Sequence, residues 1–294
     1  MADRQGLVFR QDYYDEPDGW AAMKSLLVDI FDVDLSPLDA LGGHDRTSMP
    51  SAYFDPSGVC VANLSAFSMP LIINGRRVEA AGWQSGAVRP AYRGRGLYSD
   101  LMSATLERCE QQRFEAMVLY TDKPELYEPL GFRIVPQYSF RGPTPRSTAP
   151  VLYSRELDVG TDSDLIRQLL RRRRPVSDRL AVVDQAQLFL LNAILDEGVR
   201  LSLIEERGAV IAWRMTDDGV FELLDVVAAE IPALADIVSA LGVTAASIES
   251  FIPPDLLLWQ PEAVVEPGPL VFMMRGADDL MPSEPSCLSP MASF

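Results

Sequence analysis

The sequence has one histidine and three cysteines among 294 residues, and no long uncharged apolar run. Each scarcity excludes something. A membrane-spanning helix needs about 20 consecutive apolar residues, so none is expected. The first residues, "MADRQGLVFRQDYYDEPDG", lack the basic start and apolar stretch of a secretory leader. The cysteines (Cys60, Cys109 and Cys287) are odd in number and far apart. Neither a disulfide framework nor a metal centre is expected from them. The plain reading is a reduced, cytoplasmic protein that spans no membrane.

Positive charge is also short, with 26 Lys and Arg against 42 Asp and Glu, a net charge of −16. Nucleic-acid binding needs a basic face that displaces counterions, so no nucleic-acid partner is expected. The one basic run, "RRRR" at 171–174, reads as an ion-paired or solvated helix end. An acidic surface suits a cationic small substrate such as an amine, and equally suits simple solubility.

Apolar residues are plentiful at 48%, and the length suggests two domains. Apolar spacing predicts a helix over 20–31 and another from Tyr98 to Arg113. An interrupted strand is expected over 58–75, and Asn74-Gly75 carries the signature of a hairpin turn. The returning strand is expected to run from Val78 without a break to Val88. A strand over 116–121, a short helix over 123–132 stopped by Gly131, and a strand over 133–140 follow. The Pro-rich segment 141–150 is taken as a domain boundary. Beyond it come helices over 162–174 and 185–195, three strands joined by Arg207-Gly208 and Asp217-Asp218-Gly219, a helix at "IPALADIVSALG" and two further strands. This order repeats that of the first half and suggests an internal duplication. The last stretch, 277–294, is rich in Pro and Ser and reads as a flexible tail.

Three more arginines gather with two glycines in "VRPAYRGRGLYSDLM", 88–102. A strand that turns on glycines into a helix leaves backbone N–H groups pointing outward at the positive end of the helix dipole. Gly94 and Gly96 let a ligand approach the backbone, and Arg93 and Arg95 add charge-assisted donors for phosphate oxygens. The turn is suited to a pyrophosphate. Its spacing is not that of the dinucleotide fingerprint or the P-loop. The second half has "AAEIPA" (228–233) at the equivalent place, with no glycine.

Arg93-Gly94-Arg95-Gly96-Leu97-Tyr98 resembles the R/Q-x-x-G-x-G/A motif of the GNAT (GCN5-related) N-acetyltransferases, with Tyr98 in place of the final small residue. "ELYEPLGF" resembles the downstream Tyr-x-x-x-Gly-Phe segment of that family. The resemblance covers roughly residues 1–145. It implies an α/β (α+β) fold: a central mixed, mostly antiparallel sheet flanked by helices, here followed by a second, degenerate GNAT-like domain. The expected division is 1–145, 146–276 and the tail 277–294. The resemblance also implies acetyl-CoA as co-substrate. It would be bound by Ala87 and Val88 of the strand and by Arg93, Gly94, Arg95, Gly96, Leu97 and Tyr98 of the turn. Tyr127 would protonate the departing thiolate. The acceptor would be a primary amine on a small molecule or peptide, and a homo-oligomer is compatible with the sequence. A non-catalytic acyl-CoA sensor is the competing reading.

The base stays open among His44, Glu79, Asp122, Glu125 and ordered water. Cys109 falls on the apolar stripe of its helix and reads as core. The tandem arrangement is similar to Eis-type aminoglycoside acetyltransferases, which are longer, carry a third domain and use a terminal carboxylate as base. An aminoglycoside acceptor is therefore not assigned here.

Overall fold

Residues 4–147 and 152–294 are described by a computed structural model. It divides into two compact units. One comprises Met1–Ser68, Glu79–Tyr120 and Phe294, and the other Met69–Val78 and Thr121–Ser293. Residues 148–150 of the Pro-rich segment lie outside the described residues.

In the first unit, strand β1 (Val8–Gln11) leads to helix α1 (Pro17–Phe31) and the single turn α2 (Pro37–Ala40). Strands β2 (Met49–Phe54), β3 (Cys60–Ser68) and β6 (Ala80–Val88) follow, then helix α3 (Leu97–Gln111) and strand β7 (Ala116–Thr121). The strand order is β1-β2-β3-β6-β7. The first three pairings are antiparallel and the last, across the α3 crossover, is parallel. Pro17 opens α1, where its missing N–H costs nothing, and Asp32 closes the helix in the left-handed region. The buried stripe of α3 is Leu97, Leu101, Met102, Thr105 and Cys109. Tyr98 and Leu106, which share the helical spacing of apolar residues, are only partly buried. Each large apolar side chain buried there contributes about 1.5–3 kcal/mol.

The second unit begins with the hairpin β4 (Leu71–Ile73) and β5 (Arg76–Val78), inserted between two strands of the first. Asn74 and Gly75 both have positive φ, as the sequence predicts for a two-residue turn. The expected unbroken strand from Val78 to Val88 is instead two strands, parting at Glu79. β4 pairs with β11 (Leu180–Val182), which gives the hairpin its own small sheet. The expected helix over 123–132 is two 3-10 turns, Pro124–Leu126 and Glu128–Leu130. Pro124 and Pro129 lack the N–H groups that a longer helix needs. Strand β8 (Arg133–Ile134) pairs later with β17 (Val271–Gly276).

The larger sheet of this unit contains β9 (Tyr138–Pro143), β10 (Ser154–Leu157), β12 (Arg200–Ile204), β13 (Ala209–Met215), β14 (Phe221–Val227), β15 (Ser247–Ser250) and β16 (Glu262–Val265). Helices α4 (Val159–Leu170), α5 (Ala186–Leu195) and α6 (Leu234–Leu241) accompany it. Within it, β10-β12-β13-β14-β15 repeats the order of the first unit: three antiparallel pairings, a helical crossover through α6, and a parallel pair. The duplication suspected from element order is therefore present as topology. Helix α4 stops at Leu170, short of the expected 174, and the arginine run lies beyond it. Arg173 is buried against Asp225, and Arg174 pairs with Asp178 on the surface.

The tail corrects the expectation of flexibility. Leu280, Cys287, Leu288, Met291 and Ala292 are buried. Leu288 N donates to Gln137 Oε1 at 2.9 Å, and Asn192 Nδ2 donates to Ser293 O at 2.9 Å. Composition alone suggested disorder, but five buried apolar side chains and hydrogen bonds to Gln137 and Asn192 hold the segment against the fold. Ser289 Oγ donates to the backbone carbonyl of Leu224 at 3.0 Å. Leu224 is the extra residue where the β13–β14 register shifts, so the tail satisfies a carbonyl that the bulge leaves out of the ladder.

Candidate active site

Two features of β6 shape the candidate site. The first is its divergence from β7. The pair is in register only over Ala80–Gly82 and Ala116–Val118, while β6 continues to Val88. A wedge therefore opens between two parallel strands. The second is a bulge: Asn63 faces Ala87 and Ser65 faces Gln84, which places Ser85 and Gly86 opposite Leu64. Ser85 has φ +58°, a conformation that disfavours a residue with a Cβ. Asn63 holds it there by donating from Nδ2 to Ser85 O at 2.8 Å, while Asn63 Oδ1 accepts from Tyr13 at 2.6 Å.

At the open end of the wedge, Pro90–Tyr92 makes one 3-10 turn and the chain enters α3 through Gly94 and Gly96. Their φ values are +75° and +76°, so both glycines are required by conformation. Asp100 N closes the first helical bond onto Gly96 O at 3.1 Å. The N–H groups before it belong to the unpaired first turn.

The three arginines divide their work. Arg89 braces the turn: its Nε donates to Cys60 O at 2.8 Å, and its guanidinium pairs with Asp29 of α1. Arg93 Nε donates to Val88 O at 3.1 Å, and Arg95 lies over the Tyr92 ring at 4.9 Å.

A hollow of about 220 Å³ is lined by Val88, Tyr92, Arg93, Gly94, Gly96, Leu97, Tyr98 and Ser99. It gathers six of the eight expected binding residues. Ala87 is turned into the core beside α1, and Arg95 is outside the lining. Tyr92 and Ser99 were not anticipated. Tyr92 follows Pro90 in an otherwise ordinary turn, and nothing in its sequence context marks it. Tyr98 does not point away as a bystander. A Cβ on Gly86 would lie 2.3 Å from the Tyr98 hydroxyl, so the phenol rests on the bulge itself.

The second unit holds Tyr127, 7% exposed, with its ring edge-on to Phe132 at 5.9 Å. Its position follows from the two 3-10 turns, closed by Tyr127 N donating to Pro124 O and Gly131 N donating to Glu128 O, each at 2.9 Å, while Phe132 N donates to Tyr127 O at 3.3 Å. Asp122 and Glu125 are exposed in the same unit. In the first unit, His44 Nε2 lies 3.2 Å from Asp15 Oδ1, and the imidazole packs against Tyr14 and Trp20. Glu79 is joined through its backbone to Glu115. Cys109 is core, receiving a hydrogen bond from Trp83 Nε1 at 3.4 Å. The ring of Phe294 packs edge-on against Phe67 and Tyr120, at 5.4 and 5.6 Å.

Among the described residues no cluster of His, Cys, Asp and Glu has the makings of a metal site, and no helix is long and apolar enough to cross a membrane.

Residues 44–135 match the family model of the acetyltransferase (GNAT) domain. No curated protein matches the chain. Among solved structures, it resembles a probable N-acyltransferase from Enterococcus faecalis (TM-score 0.63, 16% identity, 92% of this chain and 72% of that one). It also resembles a GCN5-related N-acetyltransferase from Kribbella flavida (TM-score 0.60, 20% identity, 95% and 73%). An Eis protein from Mycobacterium abscessus is similar in fold too (TM-score 0.59, 16% identity, 93% and 74%). The chain thus carries an acyltransferase domain of the GNAT family at residues 44–135, on a fold shared with N-acetyltransferases of that family over most of its length.

Proposed function

We propose that the protein is an N-acetyltransferase that moves an acetyl group from acetyl-CoA to a primary amine by direct attack on the thioester. The observation that carries this reading is the Gly94/Gly96 turn at the start of α3, set at the open end of the β6–β7 wedge. Helix N-terminus, arginines and bare glycines suit a pyrophosphate. The diverging edge of β6 suits an extended amide-bearing arm, as an added strand suits a sheet edge.

The amine nitrogen forms the new C–N bond while the carbonyl π pair moves to oxygen. That pair returns as the C–S bond breaks. The phenol of Tyr127 gives its proton to the thiolate and is restored by the proton that the amine loses. A thiolate and a phenol have comparable proton affinities, so this exchange is balanced. Tyr127 is assigned here on the Tyr-x-x-x-Gly-Phe resemblance. We take the acceptor to be a cationic small molecule or peptide amine, in keeping with the acidic sequence, and the setting to be the cytoplasm.

The test is release of free thiol from acetyl-CoA against polyamines, aminoglycosides, amino acids and lysine peptides. Wild type is run beside Gly96→Glu and Tyr127→Phe. Release with one amine class is expected, with CoA binding lost in Gly96→Glu and turnover lowered about 10²-fold or more in Tyr127→Phe. Tight CoA binding without release on any amine would replace this reading with an acyl-CoA sensor.

A further inference from the structure

The phenol of Tyr14 has no part in the chemistry above. Tyr14 lies between β1 and α1, is 5% exposed, and packs edge-on against Tyr13, Trp20 and His44. Its hydroxyl is buried and has no hydrogen-bond partner in the protein. It shares a core cluster with Ala87 of β6, and the side chains of Ser65, Asn63 and Ser85 come near enough to lower its proton affinity without meeting it in full hydrogen-bond geometry. Those residues form the bulge. Asn63 is already engaged, accepting from Tyr13 and donating to Ser85 O.

Two unfavourable features therefore meet at one place: a serine held at positive φ and a buried hydroxyl that completes no hydrogen bond of good geometry. Costs of this kind gather where a ligand offsets them. The second unit gives a comparison within the same chain. At its own β13–β14 bulge, Ser289 of the tail donates to the Leu224 carbonyl. There the protein satisfies its bulge internally.

We propose that the Tyr14 hydroxyl donates a hydrogen bond to the carbonyl oxygen of the acyl thioester lying along β6, and that this bond strengthens as the oxygen becomes anionic during attack. The assignment rests on the acyl-CoA reading of the site. Burial pushes the Tyr14 hydroxyl up to about 12, so at neutral pH it is protonated and serves as a donor. No proton is transferred by it. The oxygen gains the carbonyl π pair and returns it when the C–S bond breaks, and Tyr14 begins and ends as the phenol.

The test compares wild type with Tyr14→Phe, which keeps the ring contacts and removes only the hydroxyl. Binding is measured for CoA and for its S-acetonyl thioether, a ketone that stands for the thioester carbonyl, together with amine-dependent thiol release and the unfolding midpoint. The expected result is unchanged CoA affinity, an acetonyl-CoA affinity weakened about tenfold, and kcat lowered about 10²-fold. The unfolding midpoint holds or rises. Equal affinities and equal kcat overturn the assignment and leave the hydroxyl to an ordered water. Should the variant not fold, wild type decides: a bound ketone stretch not shifted to lower wavenumber than in water overturns the proposal. Wild type that binds neither CoA nor its thioether refutes the acyl-CoA reading itself, and this assignment with it.

Discussion

The contact between Gly86 and Tyr98 yields a prediction whose sign depends on the partner residue. Gly86 has an ordinary backbone conformation, so alanine there would by itself stabilise the fold by about 0.4–1 kcal/mol through the unfolded chain. In the native site the new Cβ would lie 2.3 Å from the Tyr98 hydroxyl oxygen. Ordinary contact needs about 3.4 Å, so the phenol must retreat by roughly 1 Å, and overpacking of this kind costs about 1–3 kcal/mol. The clash wins, and Gly86→Ala is expected to be destabilising by ~1–2 kcal/mol. Tyr98→Phe removes the offending atom. The nearest atoms are then the ring carbon at 3.2 Å and Leu64 Cδ1 at 3.3 Å, which demand shifts of only tenths of an ångström. Gly86→Ala should therefore be neutral or stabilising in the Tyr98→Phe background. A double-mutant cycle by urea unfolding reads the difference as a coupling energy of at least about 1 kcal/mol. Equal effects of Gly86→Ala in both backgrounds would show that the phenol swings aside freely. It would then not be seated on the bulge.

Two further expectations concern charge. The Arg173–Asp225 pair is buried, with side chains 6% and 2% exposed. Asp225→Ala should lower stability by about 3–5 kcal/mol by leaving the guanidinium unpaired, whereas replacing both residues by apolar ones of similar volume should be near neutral. Thermal melts check this, and a single-variant loss below about 1 kcal/mol would contradict it. Asp100 is partly buried, which opposes its charge, but hydrogen bonds from Tyr53 and Arg4 outweigh burial and hold its carboxyl below the usual range. A depressed carboxyl contributes stability that is complete above the unfolded value, about 3.9, and is lost as pH falls through the lower folded value. Asp100→Asn should therefore flatten the stability–pH curve below about pH 4 while leaving its slope near neutrality unchanged, as followed by urea midpoints across an acid series. An identical acid limb in both proteins would remove Asp100 from the account.

Much of the site was legible because its signals are local. Gly94 and Gly96 are written into the chain by a left-handed backbone that only glycine adopts easily, and the arginines around them need no distant partner to be noticed. Apolar periodicity located α1 and α3, Asn74-Gly75 marked its hairpin, and the repeated order of elements announced the duplication. The misreadings have a common origin in partners far away in sequence. The tail looks disordered by composition, yet it is fixed by Gln137, Asn192 and Leu224. Val78–Val88 looks like one strand, but β5 stays with β4, whose other edge is taken by β11 at 180–182. Tyr14 is an unremarkable residue in "QDYYDE" until the fold buries its hydroxyl beside a bulge in β6.

By itself, then, the sequence determined helices α1 and α3, the glycine turn and the positive charge around it, because these depend on backbone conformation and residue type over short stretches of chain. Only the tertiary structure decided where β6 leaves β7, which strand carries the bulge, and which phenols lie against it. Strand register and burial are settled by contacts between residues dozens of positions apart, and no local pattern of residue types records them.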